Sequence, residues 1–399
     1  MHDVIRDQVR TERIVAALRH AGLDALVCAR PANVLLVSGY WPVVGTAIAV
    51  ATRDGRVGIL APEDERELAE RSHADLVATF APGSTRELRT AAEAAREPLA
   101  ALVRDLGLTA PALGCDAGEG TEPASYAAMH LYGEALGRLA RDAGGALAPC
   151  AGDQLLARLR ARLTEPEVRR VEHACAIAEH AFRAARRAAV PGASDREVAA
   201  AARAPLSLRA DGAERADGFV WCMSGAESAR ASAAYARTGD RRIAAGDLVL
   251  VHCNSYVDGY WTDITRTFTA GEPGPAVRDM YDAVLEARDA ALAEIRPGVT
   301  GRAVDAAARA VLERRGYGAA FRHATGHGVG FAAIDHDARP RLHPASSDIL
   351  EPGMTCNVEP AIYLDDIGGL RHCDVVTITT EGARVLTPFL ASARELART

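Results

Sequence analysis

The sequence predicts a two-domain α+β chain whose second domain is internally duplicated, and three observations carry that expectation. Residues 11–150 alternate helical and strand-like patterns over the length of one α/β domain. The stretch "DAGGALAPCAGD" (142–153) then interrupts the periodicity with glycine, proline and small residues, as a linker does. Beyond it, "RRAAVPGASDREVAAAARA" (186–204) recurs as "LAEIRPGVTGRAVDAAARA" (292–310). Pro191-Gly192 and Pro297-Gly298 fall in register 106 residues apart, and Val198 aligns with Val304. The expected division is a smaller α/β domain over residues 1–150 and an α+β domain over 151–399. A duplicated half of this kind packs about a pseudo-twofold, with a site in the groove between the halves.

Taken in order, "RTERIVAALRHAGLDALVCARPANVLLVSGYW" reads as helix, glycine stop, strand, proline-containing turn and second strand. "AIAVATRDGRVGILAP" reads as a hairpin turning at Asp54-Gly55. "PEDERELAER" and "AAEAAREPLAALVRDLG" read as helices. The second domain opens on a capping box, Thr164 with Glu167, and Pro166 lies inside the first turn. Val168, Val171, Cys175, Ala178 and Phe182 then mark one helical face. Ser194 and Glu197 form a second box that starts the next helix.

Composition removes several classes of function. With 49% hydrophobic and 25% charged residues, the chain has the balance of a soluble globular protein. A net charge of −7 without a basic block gives no electrostatic support to nucleic-acid binding. All 46 basic residues are arginine, so no Schiff-base lysine and no P-loop lysine exist. Eight cysteines without a CxxC pair read as buried thiols of a reducing compartment, and "MHDVIRDQVR" contains no apolar leader core. The apolar runs are shorter than a membrane span. The expected location is cytoplasmic, with no membrane partner.

Five short stretches contain groups able to do chemistry. "VHCNSYVDGYWTDITRTF" (251–268) reads as two strands around an Asp-Gly turn, with His252 on one arm and Asp263, eleven residues later, on the other. The others are "HATGHGVG" (323–330), "IDHD" (334–337), "NVEPAIY" (357–363) and "GGLRHCDVV" (368–376). Taken singly, each has a bland reading: a strand histidine that is merely hydrogen-bonded, a thiol in the core, aromatics such as Tyr256 and Trp261 in the core or a pocket wall.

In order and spacing, these stretches resemble the motifs of the pita-bread hydrolases: methionine aminopeptidase, aminopeptidase P, prolidase and creatinase. Residues 11–150 resemble the N-terminal domain of the creatinase and prolidase branch. The resemblance implies a pita-bread catalytic domain and a site where metal-dependent members hold two ions with Asp, Asp, His, Glu and Glu. Carried over by position, the second Asp is Asp263, the His is His327 and the first Glu is Glu359. His252 stands where the first Asp belongs, and Cys373 where the last Glu belongs. The resemblance also implies substrate contact at His323, stabilisation of a tetrahedral intermediate by His336, and an Arg371 that orients the last ligand or binds a substrate carboxylate. It implies a homodimer in which one N-terminal domain approaches the other subunit's site. The family's "PHY"-like segment has no histidine here: "CMSGAESARASAAYARTGDRR" offers Ser232 and Tyr235, leaving Tyr235 as the candidate substrate contact.

The altered positions change the ion count that the site suits. Asp263 and Glu359 with Cys373 as thiolate give a ligand charge of about −3, or about −2 as thiol, enough for one divalent ion rather than two. Imidazole cannot bridge two ions, and His with Cys shifts preference from Mn toward Zn or Fe. The expectation is a hydrolase cleaving the C–N bond of a dipeptide or small amide, Xaa-Pro peptidase-like, with one divalent transition metal (Zn, Fe or Mn) per chain. Glu359 and His327 are its central catalytic candidates, and Asp263, His327, Glu359, His252 and Cys373 its candidate ligands. Two other readings fit the same residues: a metal-independent creatinase-like hydrolase, and a binding protein that kept the fold without catalysis.

Overall fold

The computed structural model describes residues 5–43, 46–81, 83–84, 87–116, 133–147, 151–209, 212–213, 215–234, 237–335 and 337–396. The chain folds as two compact units, Met1–Arg160 and Ala161–Thr399. No helix among the described residues is long and apolar enough to cross a membrane.

The first unit is built on a six-stranded mixed sheet. Its spatial order is Leu76–Phe80, Val57–Pro62, Ile48–Thr52, Ala25–Cys28, Ala112–Cys115 and Ala146–Leu147. The opening helix, Gln8–Ala21, starts where the Asp7 side chain accepts from the Arg10 N–H and ends at Gly22, whose φ of +67° only glycine adopts cheaply. The expected hairpin forms, with Gly55 at φ +92° between antiparallel strands. One expectation is corrected. Residues Pro31–Ser38, which read as a turn and strand, form a helix. Pro31 occupies the first turn, where its fixed φ suits a helix, and most of the run is buried. A short apolar stretch buried on all sides has no periodicity to separate strand from helix.

The second unit shows the duplication in its hydrogen bonds. Helix Glu165–Ala188 turns through Pro191-Gly192 into helix Asp195–Leu208, and helix Pro275–Glu294 turns through Pro297-Gly298 into Gly301–Arg314. Gly192 and Gly298 have φ of +90° and +87°, so the turn needs glycine in both copies. The Gly192 N–H donates to Ile243 O and the Gly298 N–H to Leu350 O, at 2.8 and 2.9 Å. Ile243 N–H returns a bond to Ala193 O at 2.9 Å, and Leu350 N–H to Val299 O at 2.8 Å. Chance similarity between alanine-rich helices would not reproduce this pattern.

The strand that positions the site is Leu248–Val257, flanked by Ala216–Ser224 and Ile264–Thr269 and extended by Tyr260–Trp261. Asp258 and Gly259, at φ +49° and +87°, turn it as a type I′ hairpin does. Pairing of His252 with both Trp221 and Thr265 fixes which side chains share a face. By strand alternation Phe219, Trp221, His252, Tyr256, Trp261, Asp263 and Thr265 project one way. The opposite face packs on the long helix, where Ser255 Oγ donates to Ala174 O.

A second sheet, Thr355–Val358, Asp374–Ile378 and Ala383–Val385, and a hairpin, Ala361–Leu364 with Gly368–Arg371, complete the unit. Its register is locked by Arg266, which is fully buried. That guanidinium donates to Asp374 Oδ1 at 2.7 Å and to the carbonyls of Cys373, Thr387 and Phe389 at 2.7, 3.0 and 3.1 Å. Backbone bridges Thr265–Cys373 and Gly328–Cys356 then tie the two sheets and the glycine-rich loop into one framework.

Candidate metal centre

Asp263, Glu359 and Cys373 come together although 110 residues separate the first from the last: one donor atom of each lies within 4.8 Å of the other two. Cys373 follows the hairpin strand and donates through its thiol to Asp263 O at 3.1 Å, with Sγ 3.9 Å from Asp263 Oδ1. Burial pushes that thiol well above the ordinary cysteine range, and the neighbouring Asp263 and Glu359 push it further. A cation among the three would reverse this, because a coordinated thiol gives up its proton.

His327 comes to the same place on the glycine-rich loop. Its Nδ1 lies 3.0 Å from Gly328 O, an acceptor, so Nδ1 holds a proton and Nε2 is the atom turned to the cluster. Nε2 stands 3.4 Å from Asp263 Oδ2 and 3.9 Å from Glu359 Oε1. Asn357 Nδ2, at 3.1 Å, calls for a bare nitrogen there, whereas the carboxylates call for positive charge. Burial lowers the imidazole's pKa, but Asp263 and Glu359 outweigh burial and raise it to about 9. Asp263 answers in the opposite sense. Burial raises its carboxyl, yet the hydrogen bond and charge of His327 and the charge of Arg371 hold it below the usual range.

His252 is differently engaged. Arg371 Nη2 lies 3.0 Å from His252 Nδ1 and can only donate, so Nδ1 accepts and the imidazole is neutral. Thr265 Oγ1 is 2.8 Å from the same atom, and Asp263 Oδ1 is 3.7 Å away. Burial lowers this imidazole to about 4, against the pull of Asp263. Arg371 is itself buried, donating from Nε to Thr265 Oγ1 at 3.0 Å, with Nη1 3.8 Å from Glu359 Oε2.

His323 lies beside this group. Its Nδ1 is 2.8 Å from Ala324 O and its Nε2 2.9 Å from Tyr363 Oη, so Nδ1 donates and Nε2 accepts from the tyrosine. His336 and Tyr235 lie outside the described residues. Two groups of the site escape a reading of the sequence. Asn357 accepts the His327 N–H at 2.7 Å through Oδ1 and points Nδ2 at Cys373 Sγ, 3.6 Å away. Asp305, buried on the helix after the second Pro-Gly turn, accepts from Thr325 N and Oγ1 at 3.0 and 2.9 Å and so anchors the loop of His327. The one signal of each is a polar residue inside an apolar run, "TCNV" for the first and "AVDAAARA" for the second.

A duplicated helix–turn–helix framework whose sheets gather carboxylates, imidazole and thiol within a few ångströms defines a metallopeptidase-type scaffold. The chain belongs to metallopeptidase family M24: the model of that family matches residues 169–380, and the Creatinase/Prolidase N-terminal domain matches residues 10–161. Its fold is the pita-bread fold of prolidases. The crystal structure of the prolidase from Pyrococcus horikoshii OT3 superposes with a TM-score of 0.74 at 28% identity, covering 98% of this chain and all of that one. The Xaa-Pro dipeptidase from Bacillus anthracis gives 0.76 at 26% identity, covering 95% of this chain and 97% of the other. In sequence, a Xaa-Pro dipeptidase from Pyrococcus furiosus is 36% identical over 235 residues, 59% of this chain and 65% of that protein. The matches thus span just under two thirds of such a relative's length.

Proposed function

We propose that the chain is a hydrolase that cleaves the C–N bond of a dipeptide or small amide, in the manner of the Xaa-Pro dipeptidases it resembles. In this reading one divalent transition metal is held by Asp263, His327, Glu359 and Cys373. The observation that supports it most is the convergence of the Asp263, Glu359 and Cys373 donor atoms within 4.8 Å. The donor chemistry fits: two carboxylates, an imidazole with Nε2 turned inward and a buried thiol form a set that zinc or ferrous iron accepts. When bound, such an ion acidifies a water molecule and polarises the scissile carbonyl.

The remaining work falls to side chains. Glu359, whose side chain is less deeply buried than that of Asp263, takes the proton from the attacking water and returns it to the leaving nitrogen. Asn357 holds the His327 backbone through Oδ1, approaches the His327 ring through Nδ2 and places an N–H on Cys373 Sγ. We assign His252 to holding Arg371 rather than to ligation, because its inward lone pair accepts from that guanidinium. Arg371, bonded to Thr265 and His252, puts a permanent positive charge beside Glu359, where a second ion would otherwise be needed. His323 serves as the acceptor that orients Tyr363 Oη.

A metal-independent hydrolase has one arrangement in its favour: His327 Nε2 stands 3.4 Å from Asp263 Oδ2 and 3.9 Å from Glu359 Oε1, two carboxylates that favour the protonated imidazole, an acid for a leaving group. Elemental analysis of protein purified without added metal, followed by hydrolysis assays on Xaa-Pro dipeptides with and without chelator, separates the two. One zinc or iron per chain and chelator-sensitive cleavage support the leading reading. Metal-free protein with chelator-resistant cleavage selects the other.

A further inference from the structure

We propose that Phe219, Trp221 and Trp261 form the subsite for the substrate's side chain, and that this subsite takes a planar aromatic or other large apolar group. The proposal rests on the hydrolase reading above for the bond that is cut. The three rings project from the same sheet face as His252 and Asp263, as the strand pairing requires. They also stack in sequence. Trp221 lies over the His252 ring with centroids 5.6 Å apart and planes 26° from parallel. Phe219 continues at 5.9 Å and 14° from Trp221, and Trp261 follows at 6.4 Å and 4° from Phe219. The inner end of this stack is 3.7 Å from Asp263, because His252 Nδ1 lies that far from Asp263 Oδ1.

Two features separate this face from ordinary core. Rings in a core meet at many angles, edge-to-face contacts among them, whereas Trp221, Phe219 and Trp261 follow one another within 14° of parallel, with Tyr256 tilted against Trp261 at 4.7 Å and 52°. The residues beneath it, such as Cys222 and Cys253, are buried, while Phe219, Trp221 and Trp261 each keep partial exposure. The investment is also concentrated. Only 5% of the chain is Phe, Trp or Tyr, yet two of its three tryptophans stand here. A partly exposed row of rings that runs into a polar, charged cluster is the usual anatomy of a small-molecule site: area for affinity, a few polar groups for orientation. An aromatic side chain packed against the exposed edges of these rings would gain edge-to-face contact and burial that glycine or alanine could not, worth about tenfold in affinity.

The test uses the zinc-loaded full chain and two chelating probes, L-phenylalanine hydroxamate and glycine hydroxamate, with calorimetric dissociation constants. L-phenylalaninamide and glycinamide, followed by tryptophan fluorescence, serve as probes that need no metal. The expected result is about tenfold tighter binding of the phenylalanine hydroxamate. In Trp221→Leu and Phe219→Leu, which keep apolar bulk, that preference should shrink while glycine hydroxamate binds as before. If glycine hydroxamate fails to bind but phenylalaninamide binds and weakens in Trp221→Leu, the metal reading fails and the aromatic subsite stands. Equal affinity for both hydroxamates in the native chain overturns the subsite and leaves the metal reading intact. Loss of self-association in Trp221→Leu without any aromatic preference also overturns it, placing the face between two copies.

Discussion

Arg371 Nη2 donates to His252 Nδ1 across 3.0 Å, and this bond sets the character of the site's inner wall. A guanidinium offers donors only, so the imidazole must stay neutral, with its inward lone pair committed to Arg371 rather than to an ion. Replacing both altered positions should undo this. In the double variant His252→Asp with Cys373→Glu, Arg371 gains a carboxylate partner and the groove gains one or two negative charges with bridging capacity. Calorimetric titration of Mn²⁺ should then show stoichiometry rising from one toward two per chain. Unchanged stoichiometry would mean that these two positions do not face a common metal groove.

The second prediction is a pH dependence. Burial holds the imidazoles of His252 and His372 at about 4, whereas an unfolded histidine titrates near about 6.5. Between those values the unfolded chain binds more protons than the folded one, so stability rises with pH across that window. The contribution is therefore present above about pH 6.5 and lost as pH falls toward 4, on the order of 3 kcal/mol per ring. His327, raised to about 9, acts in the opposite sense: its share is present below its unfolded pKa and lost as pH rises through 9. Urea unfolding of metal-free protein between about pH 4 and 7 should show the acid slope, and His252→Gln should remove roughly half of it. An unaltered slope would assign the effect elsewhere.

A third prediction concerns Asn357, which touches both His327 and Cys373. Asn357→Val removes the amide and places a β-branched residue, which strands favour, at that position. Metal affinity should fall by about 10- to 100-fold, as for other partners that orient ligands. The thermal midpoint of the metal-free protein should fall modestly as well, because the His327 N–H loses its acceptor at a cost of about 1–3 kcal/mol. A large loss of metal-free stability with unchanged affinity would make Asn357 a packing residue only.

Asp374 supplies the fourth. Its Oδ1 and Oδ2 pair with Arg266 and Arg288 at 2.7 and 2.5 Å, and its side chain is entirely buried. Asp374→Asn leaves two guanidinium groups without their carboxylate, a change that costs about 3–5 kcal/mol. Because the Arg266 bond network holds Cys373 against Thr265, the variant should also weaken metal binding at temperatures where it remains folded. Chemical denaturation reads the first effect and titration the second.

These particulars show what a linear sequence discloses. Turn chemistry is local, so Asp258-Gly259 announces its hairpin, and the Pro-Gly pair announces a repeated turn. Capping boxes at Thr164 and Ser194 are equally local and form as read. The Pro31–Ser38 helix is not legible in the same way, because its apolar residues carry no period. Within the site, residue types and order reveal which side chains could gather, but not which atom each offers. That His252 accepts from Arg371, that Asn357 reaches Cys373, and that His323 accepts from Tyr363 depend on contacts between segments up to 119 residues apart. No spacing rule encodes such contacts.

The claim that one ion sits among Asp263, His327, Glu359 and Cys373 is tested most directly by titrating Co²⁺ into the metal-free full chain while recording its absorption spectrum. Saturation at about one equivalent, with a thiolate-to-cobalt charge-transfer band that vanishes in Cys373→Ser, is the predicted result. Saturation at two equivalents, or binding without any thiolate band, would contradict it.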